Sequence, residues 1–308
     1  MITSNMQASV PDLSNILTPS LYQKILKVQF PWDGPVDMKF AGRFYFCGIP
    51  DNSHAVYDTC HHTALKPLSR VFLATRKIPD LAVYLPEPSD PKYAEYALAL
   101  ILLVDQGPRS LYKHSDVRWG PMFFDVMSQR LIKKLVSAGT FPDDTEIWTR
   151  LEYSFEDIMV RKMWIYAPLI HSEHLEDQRL ASGKTEQMRK EVESYTGKTD
   201  PWRATRDKDG DDTMMFHRLI EQGPPETFAE FLFWLYRIFD AHLPIIEKYG
   251  RYPYRNTSVG RTSTEEEEQY LLDTEGLGVP SLTDEEVRKL REQVEKNVWE
   301  PLSDRGPW

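Results

Sequence analysis

The chain has 308 residues, of which 41% are hydrophobic and 12% aromatic, and a formal net charge of −10. That acidity argues against a broad nucleic-acid or anionic-membrane surface, and two cysteines, Cys47 and Cys60, exclude a disulfide framework or a cysteine-rich metal site. The N-terminal segment shows no charged-then-apolar leader, and no stretch reaches the roughly 18 consecutive apolar residues of a membrane span, so the expectation is a soluble, cytoplasmic protein.

Residues 1–20 read as a flexible arm, 21–272 as a single helical domain and 273–308 as a C-terminal linker and helix. A short helix is expected near 21–30. Residues 31–50 are rich in Pro, Gly and aromatics and read as loop, with 43–47 as the strand candidate. Helices are expected around 57–65 and 68–76. Residues 93–106 are apolar all round and predict a central helix, with Gly107 and Pro108 as its stop signals. An amphipathic helix over 123–138 is closed by Gly139.

Residues 144–180 read as one helix with Pro168 as a kink point. Within it Met159, Met163, Tyr166, Ile170, Glu173, Asp177 and Leu180 follow a 4-3-4-3 spacing that traces one face. The strongly charged run that follows, 182–212 and on to Pro225, reads as a mobile insertion rather than a packed element. Residues 228–249 form another apolar helix that carries His242 on its buried side. Pro244 kinks it and Gly250 caps it. Thr264 and Glu267 have the spacing of a capping box, and a last amphipathic helix spans 283–299. The class is all-α, with successive antiparallel helix pairs as the natural arrangement.

Three polar clusters adjoin these apolar helices: Asp105, Gln106 and Arg109; His171, Glu173, His174 and Asp177; and Arg251, Arg255 and Asn256. An acid at a helix C-terminus faces the negative end of the macrodipole, and a carboxylate beside the most apolar run of the chain is costly unless paired. Asp105 therefore needs a cation. Arg109, Arg251 and Arg255 are the candidates, because the guanidinium fork matches both carboxylate oxygens.

Leu100-Ile-Leu-Leu-Val-Asp-Gln-Gly-Pro-Arg-Ser110, Tyr166-Ala-Pro-Leu-Ile-His-Ser-Glu-His174 and Lys248-Tyr-Gly-Arg-Tyr-Pro-Tyr-Arg-Asn256, followed by Gly260-Arg-Thr-Ser-Thr-Glu265, resemble in order the three signature blocks of the uncharacterised domain-of-unknown-function family nine-two-four. The resemblance covers about residues 91–271. It implies a single helical domain with tetratricopeptide-like packing and carries no settled activity. The chain departs from the pattern at Gly107, Ser110 and Tyr254, where Phe, Asn and His are usual. Those departures, the 182–225 segment and the long N-terminal region suit a specialised, fungal-type member.

Two readings stand for each polar cluster. Asp105 and Arg109 either lock a helix end or line a pocket, and Arg251, Arg255 and Asn256 either neutralise the acids or bind a carboxylate or phosphate. His171, His174, Glu173 and Asp177 share helical spacing, but the Glu-x-x-His pair of helical di-metal sites is absent. His61-His62 beside Cys60 lacks a second ligand cluster to complete a zinc set. No metal and no cofactor is therefore assigned. His242 reads as a satisfied core histidine or a general base. Gly276-Leu-Gly278 lacks the context of a dinucleotide motif.

The leading functional expectation is a biosynthetic enzyme of secondary metabolism acting on a small polar or anionic metabolite between helices. Asp105, Glu173 and His171 are its catalytic candidates, and Arg109, Gln106, Arg251, Arg255 and Asn256 would bind substrate. A narrower alternative is an arginine-containing cyclodipeptide synthase fed by aminoacyl-tRNA, a partner that the net charge disfavours. A third is a helical-repeat module that binds a peptide or protein around a purely structural ion network.

Overall fold

The apolar run around residue 100 forms the centre of the molecule, and the rest of the chain is laid around it. A computed structural model describes residues 10–41, 54, 57–205, 212–278 and 282–304. Helices account for the regular structure, and no strand occurs among the described residues. The candidate strand at 43–47 and Cys47 lie outside them.

Helix α1 (Pro19–Gln29) starts at Thr18, whose hydroxyl accepts from the Leu21 N–H, and buries Leu21, Tyr22 and Ile25. A π-helical stretch, Tyr57–Leu65, leads into α2 (Lys66–Thr75). Helix α3 (Tyr93–Ile101) is buried along its whole length, as an apolar sequence without a polar face requires. It packs on α1 and, further along the chain, on α7.

The expected stop at Gly107 and Pro108 is not where this helix ends. The chain passes through a π-helical turn, Leu102–Gln106, into a short α4 (Gly107–Leu111). The Gly107 N–H reaches back to the Leu102 carbonyl. Pro108, which has no N–H to give, falls in the first turn of α4. The wider turn absorbs the proline without breaking the axis, and it leaves Asp105 inside the molecule rather than at a helix end.

Helix α5 (Asp125–Ser137) follows a second π-helical turn, Gly120–Phe124. The single helix expected over 144–180 is three: α6 (Thr145–Thr149), α7 (Phe155–Ile170) and α8 (Leu175–Thr196). The 4-3-4-3 stripe holds only to Ile170. Beyond it the chain turns at His171, Glu173 sits between helices, and Leu180 faces solvent. Pro168 lies inside the last turn of α7.

The charged segment from 182 is also corrected, because through Thr196 it is packed helix. Thr185, Met188 and Val192 face inward at helical spacing. The buried Arg189 donates to Asp200 at 2.6 Å, to Asp240 at 2.9 Å and to Glu186 at 3.1 Å. Composition alone suggested mobility, whereas the paired charges let a polar sequence pack. Helix α8 rests on α7 and on α10 (Phe228–Asp240), which follows α9 (Met215–Gln222). The helix expected over 228–249 breaks at Ala241 and His242, and α11 (Leu243–Tyr249) takes Pro244 in its first turn. Helix α12 (Glu265–Asp273) has the expected Thr264–Glu267 capping box, and Thr283 and Glu286 form another before α13 (Asp284–Glu295).

The C-terminal segment is docked. Gly260 has φ +74°, and a Cβ there would stand 3.1 Å from Val294, so only glycine lets α13 lie this close. Trp299 packs 4.6 Å from Trp119 and 5.0 Å from Phe72, ring centre to ring centre. Arg118 lies 4.0 Å over the Trp299 ring and donates to the Val298 carbonyl at 2.6 Å. Trp299→Ala should cost about 2–3 kcal/mol, below the value for a fully buried tryptophan. Urea unfolding measures this, and an unchanged midpoint would show that the segment does not stabilise the domain.

Candidate functional site

Asp105 ends up fully buried, and the structure meets its need for partners in three ways. Gln106 donates to one oxygen through its side-chain amide, the Arg109 guanidinium lies 3.5 Å from the other, and His171 Nδ1 is 3.0 Å from both. Arg109 makes a shorter contact elsewhere, 2.7 Å to Asp125. Arg255 Nη1 lies 3.5 Å from the second oxygen of Asp125 and donates to the His171 carbonyl at 2.9 Å. Two guanidiniums, Arg109 and Arg255, thus face two carboxylates, Asp105 and Asp125, with the His171 imidazole among them.

That balance decides the protonation states. Burial alone would raise the Asp105 carboxyl, but the His171 N–H, the Arg109 guanidinium and the Gln106 amide hold it well below the usual carboxylate range. Burial and the neighbouring Arg109 push His171 below its usual value. A third cation beside two guanidiniums would be unfavourable, so the imidazole is neutral and the carboxylate ionised. Arg109 Nε also approaches His171 Nδ1, at 3.2 Å. A single ring nitrogen cannot both donate to Asp105 and accept from Arg109, and the carboxylate is the stronger partner for an N–H. His171 therefore carries its proton on Nδ1, and its Nε2 lone pair lies at the partly exposed edge of the ring. The side chain is 16% exposed, against 0% for Asp105.

The turn that carries His171 is fixed from several sides. Gln178, from α8, donates to the Ile170 carbonyl at 2.7 Å and to the Ser172 carbonyl at 2.6 Å. The Tyr252 hydroxyl also donates to the Ile170 carbonyl. Glu173 takes a two-pronged pair from Arg261, at 2.9 and 2.6 Å, and accepts from the Tyr252 N–H at 3.0 Å. Burial would raise the Glu173 carboxyl, but those donors hold it below its usual value. Its oxygens are thus committed to holding the turn against the 251–261 segment.

Arg251 and the amide nitrogen of Asn256 are also committed to the framework. Arg251 clamps Glu267 at 2.6 and 2.7 Å, and the Asn256 amide donates to the same carboxylate at 3.3 Å. Arg255 differs. It is 7% exposed and stacks 4.7 Å from the Tyr252 ring and 5.6 Å from the Tyr254 ring, and its Nη2 has no hydrogen-bond partner among the described residues. His174 occupies the N-cap position of α8 without a side-chain capping bond. Asp177 accepts from Ser172 at 2.6 Å and lies 3.0 Å from Lys133. His171, Glu173 and Asp177 therefore each face a different partner and do not converge on one point.

His242 lies at the break between α10 and α11, its ring 6.4 Å from that of His171. Its Nδ1 donates to the Ile238 carbonyl at 2.8 Å. Burial first, then His171, lower its pKa from 6.5 to about 3.

Asp125, Arg261, Tyr252 and Gln178 are residues that sequence reasoning missed. Asp125 had a readable signal, an acid on the apolar face of Phe123, Phe124, Met127 and Leu131. Arg261 and Gln178 look like ordinary surface residues in the sequence.

The sequence model of the family described as "Bacterial protein of unknown function (DUF924)" matches residues 81–275, which span α3 to α12 and all the residues just described. No curated protein and no solved structure matches the chain.

The state of His242 has a consequence for stability. Between pH 6.5 and about 3 the unfolded chain protonates this imidazole and the folded chain does not, so stability falls as the pH drops through that window. By about pH 4 the loss from this residue should reach about 3 kcal/mol. His242→Gln, which keeps a donor for Ile238, should flatten the dependence of unfolding free energy on pH. Parallel curves for the two proteins would contradict the assignment.

Proposed function

The chain belongs to the DUF924 family, and from that premise and the geometry above we propose that it is an enzyme acting on a small anionic metabolite, with His171 as general base. The observation that carries this reading is an imidazole oriented by a buried carboxylate, with one edge open, beside the buried Arg255 guanidinium whose Nη2 has no partner among the described residues. The family itself contributes no activity, so the reading rests on the site.

The roles follow from the donors and acceptors. His171 Nε2 takes a proton from bound substrate, and Asp105 stabilises the imidazolium that forms, as the acid does in hydrolytic triads. Arg255, with the partly exposed Arg109, binds a carboxylate or phosphate and sets the distance of the reacting group from the imidazole. Glu173, Arg251 and Asn256 support the site through Arg261 and Glu267. A depressed His171 pKa keeps the base deprotonated at neutral pH, so the rate should be flat near neutrality and fall in acid.

A screen of small carboxylates and phosphate esters by thermal shift supplies the ligand. On a substrate so found, His171→Ala and Asp105→Asn should each lower kcat/KM by about 10²–10⁴ with little change in KM. Arg255→Lys should act mainly on KM. Full activity in all three variants would remove the proposal.

A peptide-binding module is the second reading, favoured by a surface cleft lined by Thr145, Phe155, Lys184, Glu191 and Tyr195, away from His171. Under that reading Lys184→Glu would abolish partner capture and the His171 variants would not.

A further inference from the structure

The adjacent histidines of the N-terminal region gain a partner in the fold that their spacing could not supply. His61 and His62 sit in the π-helical stretch Tyr57–Leu65, with ring centres 4.8 Å apart and planes at 80°. The docked C-terminal segment brings Asp304 to them from more than two hundred residues away. One ligand atom from each of His61, His62 and Asp304 falls within 4.8 Å of the others, and His62 Nδ1 is 3.9 Å from Asp304 Oδ1. His61 is buried, whereas His62 and Asp304 are exposed and can adjust their rotamers.

We propose that His61, His62 and Asp304 form a binding site for a divalent transition metal, zinc in the first instance, which staples the C-terminal segment to the N-terminal region. Two imidazoles and one carboxylate are a donor set suited to such an ion, with the remaining position left to water. A hard cation such as magnesium would call for more oxygen donors. Ligand atoms around zinc stand about 2.0–2.2 Å from the metal, so the exposed His62 and Asp304 must close on the fixed His61.

The surroundings fit. The Tyr112 hydroxyl lies 3.4 Å from His61 Nδ1 and can orient the ring from behind. The Ser303 backbone hydrogen-bonds the same histidine. Ligation exchanges that bond for the metal, with the ring proton held on the Tyr112 side. Lys66 pairs with Asp304, so the ion displaces an ammonium from a carboxylate and takes over its charge role. Cys60 is buried with its thiol pushed up to about 12 and lies outside this set.

The test uses the full chain stripped with a chelator and titrated with Zn²⁺ by calorimetry, followed by thermal unfolding and limited proteolysis after α13. One saturating zinc per chain is expected, with a raised unfolding midpoint and a slower cut. Asp304→Asn and His62→Ala, both at exposed positions, should each weaken binding by at least about tenfold, the low end of the loss from even an outer-shell change. Lys66→Gln should tighten it by removing the competing ammonium. The absence of saturable binding overturns the proposal. So does zinc binding that is unchanged in the His62→Ala/Asp304→Asn double variant, which would place the ion at other histidines.

Discussion

A buried carboxylate in an apolar helix constrains everything around it. Asp105 costs several kcal/mol to bury unless its charge is met, and here it is met by Arg109, one helical turn on, and by His171, between α7 and α8, while Asp125 on α5 and Arg255 in the 251–261 segment complete the charge balance. No single helix pair can supply that set. The turn at residues 171–174 and the 251–261 segment must both reach the end of α3, and the bonds of Glu173 to Arg261, Gln178 to the carbonyls of the turn, and Arg251 to Glu267 hold them there. The apolar core sets which helices stack, and the charge set fixes how their ends meet.

The same arrangement separates residues that hold the site from residues that could act in it. An acid whose oxygens are both occupied, as in Glu173, is poorly placed to move a proton. An imidazole with one nitrogen fixed by a carboxylate and the other at a partly open edge is well placed to do so. Arg255 adds directed positive charge without a full complement of partners, and two tyrosine rings against its faces limit its motion. The difference between these groups is one of hydrogen-bond accounting, which composition and spacing do not carry.

Helix class, the central position of residues 93–101, the capping box at Thr264 and the need of Asp105 for a cation were legible in the sequence, because each follows from periodicity, a capping pattern or the cost of a local polar group. Three features were not. The helix runs on past Gly107 because a π-helical turn accommodates Pro108, an outcome that a stop-signal rule does not anticipate. The 171–174 turn interrupts a stripe whose spacing continues unbroken in sequence, since tertiary partners such as Gln178 and Tyr252 reward the break. The charged run after residue 182 packs because Arg189 finds three acids, two of them outside its own helix. In the second and third cases a long-range contact outweighed a local preference.

The docking of Trp299 against Trp119 and Phe72 joins stretches that are far apart in order of synthesis. A ribosome finishes α2 and the Trp119 region well before it adds Trp299, so the aromatic surface that the tryptophan covers is open throughout elongation of the intervening chain. Nascent chains of this protein therefore present an apolar patch that closes only once Trp299 has been added, which makes them candidates for chaperone retention and leaves products terminated before it prone to self-association.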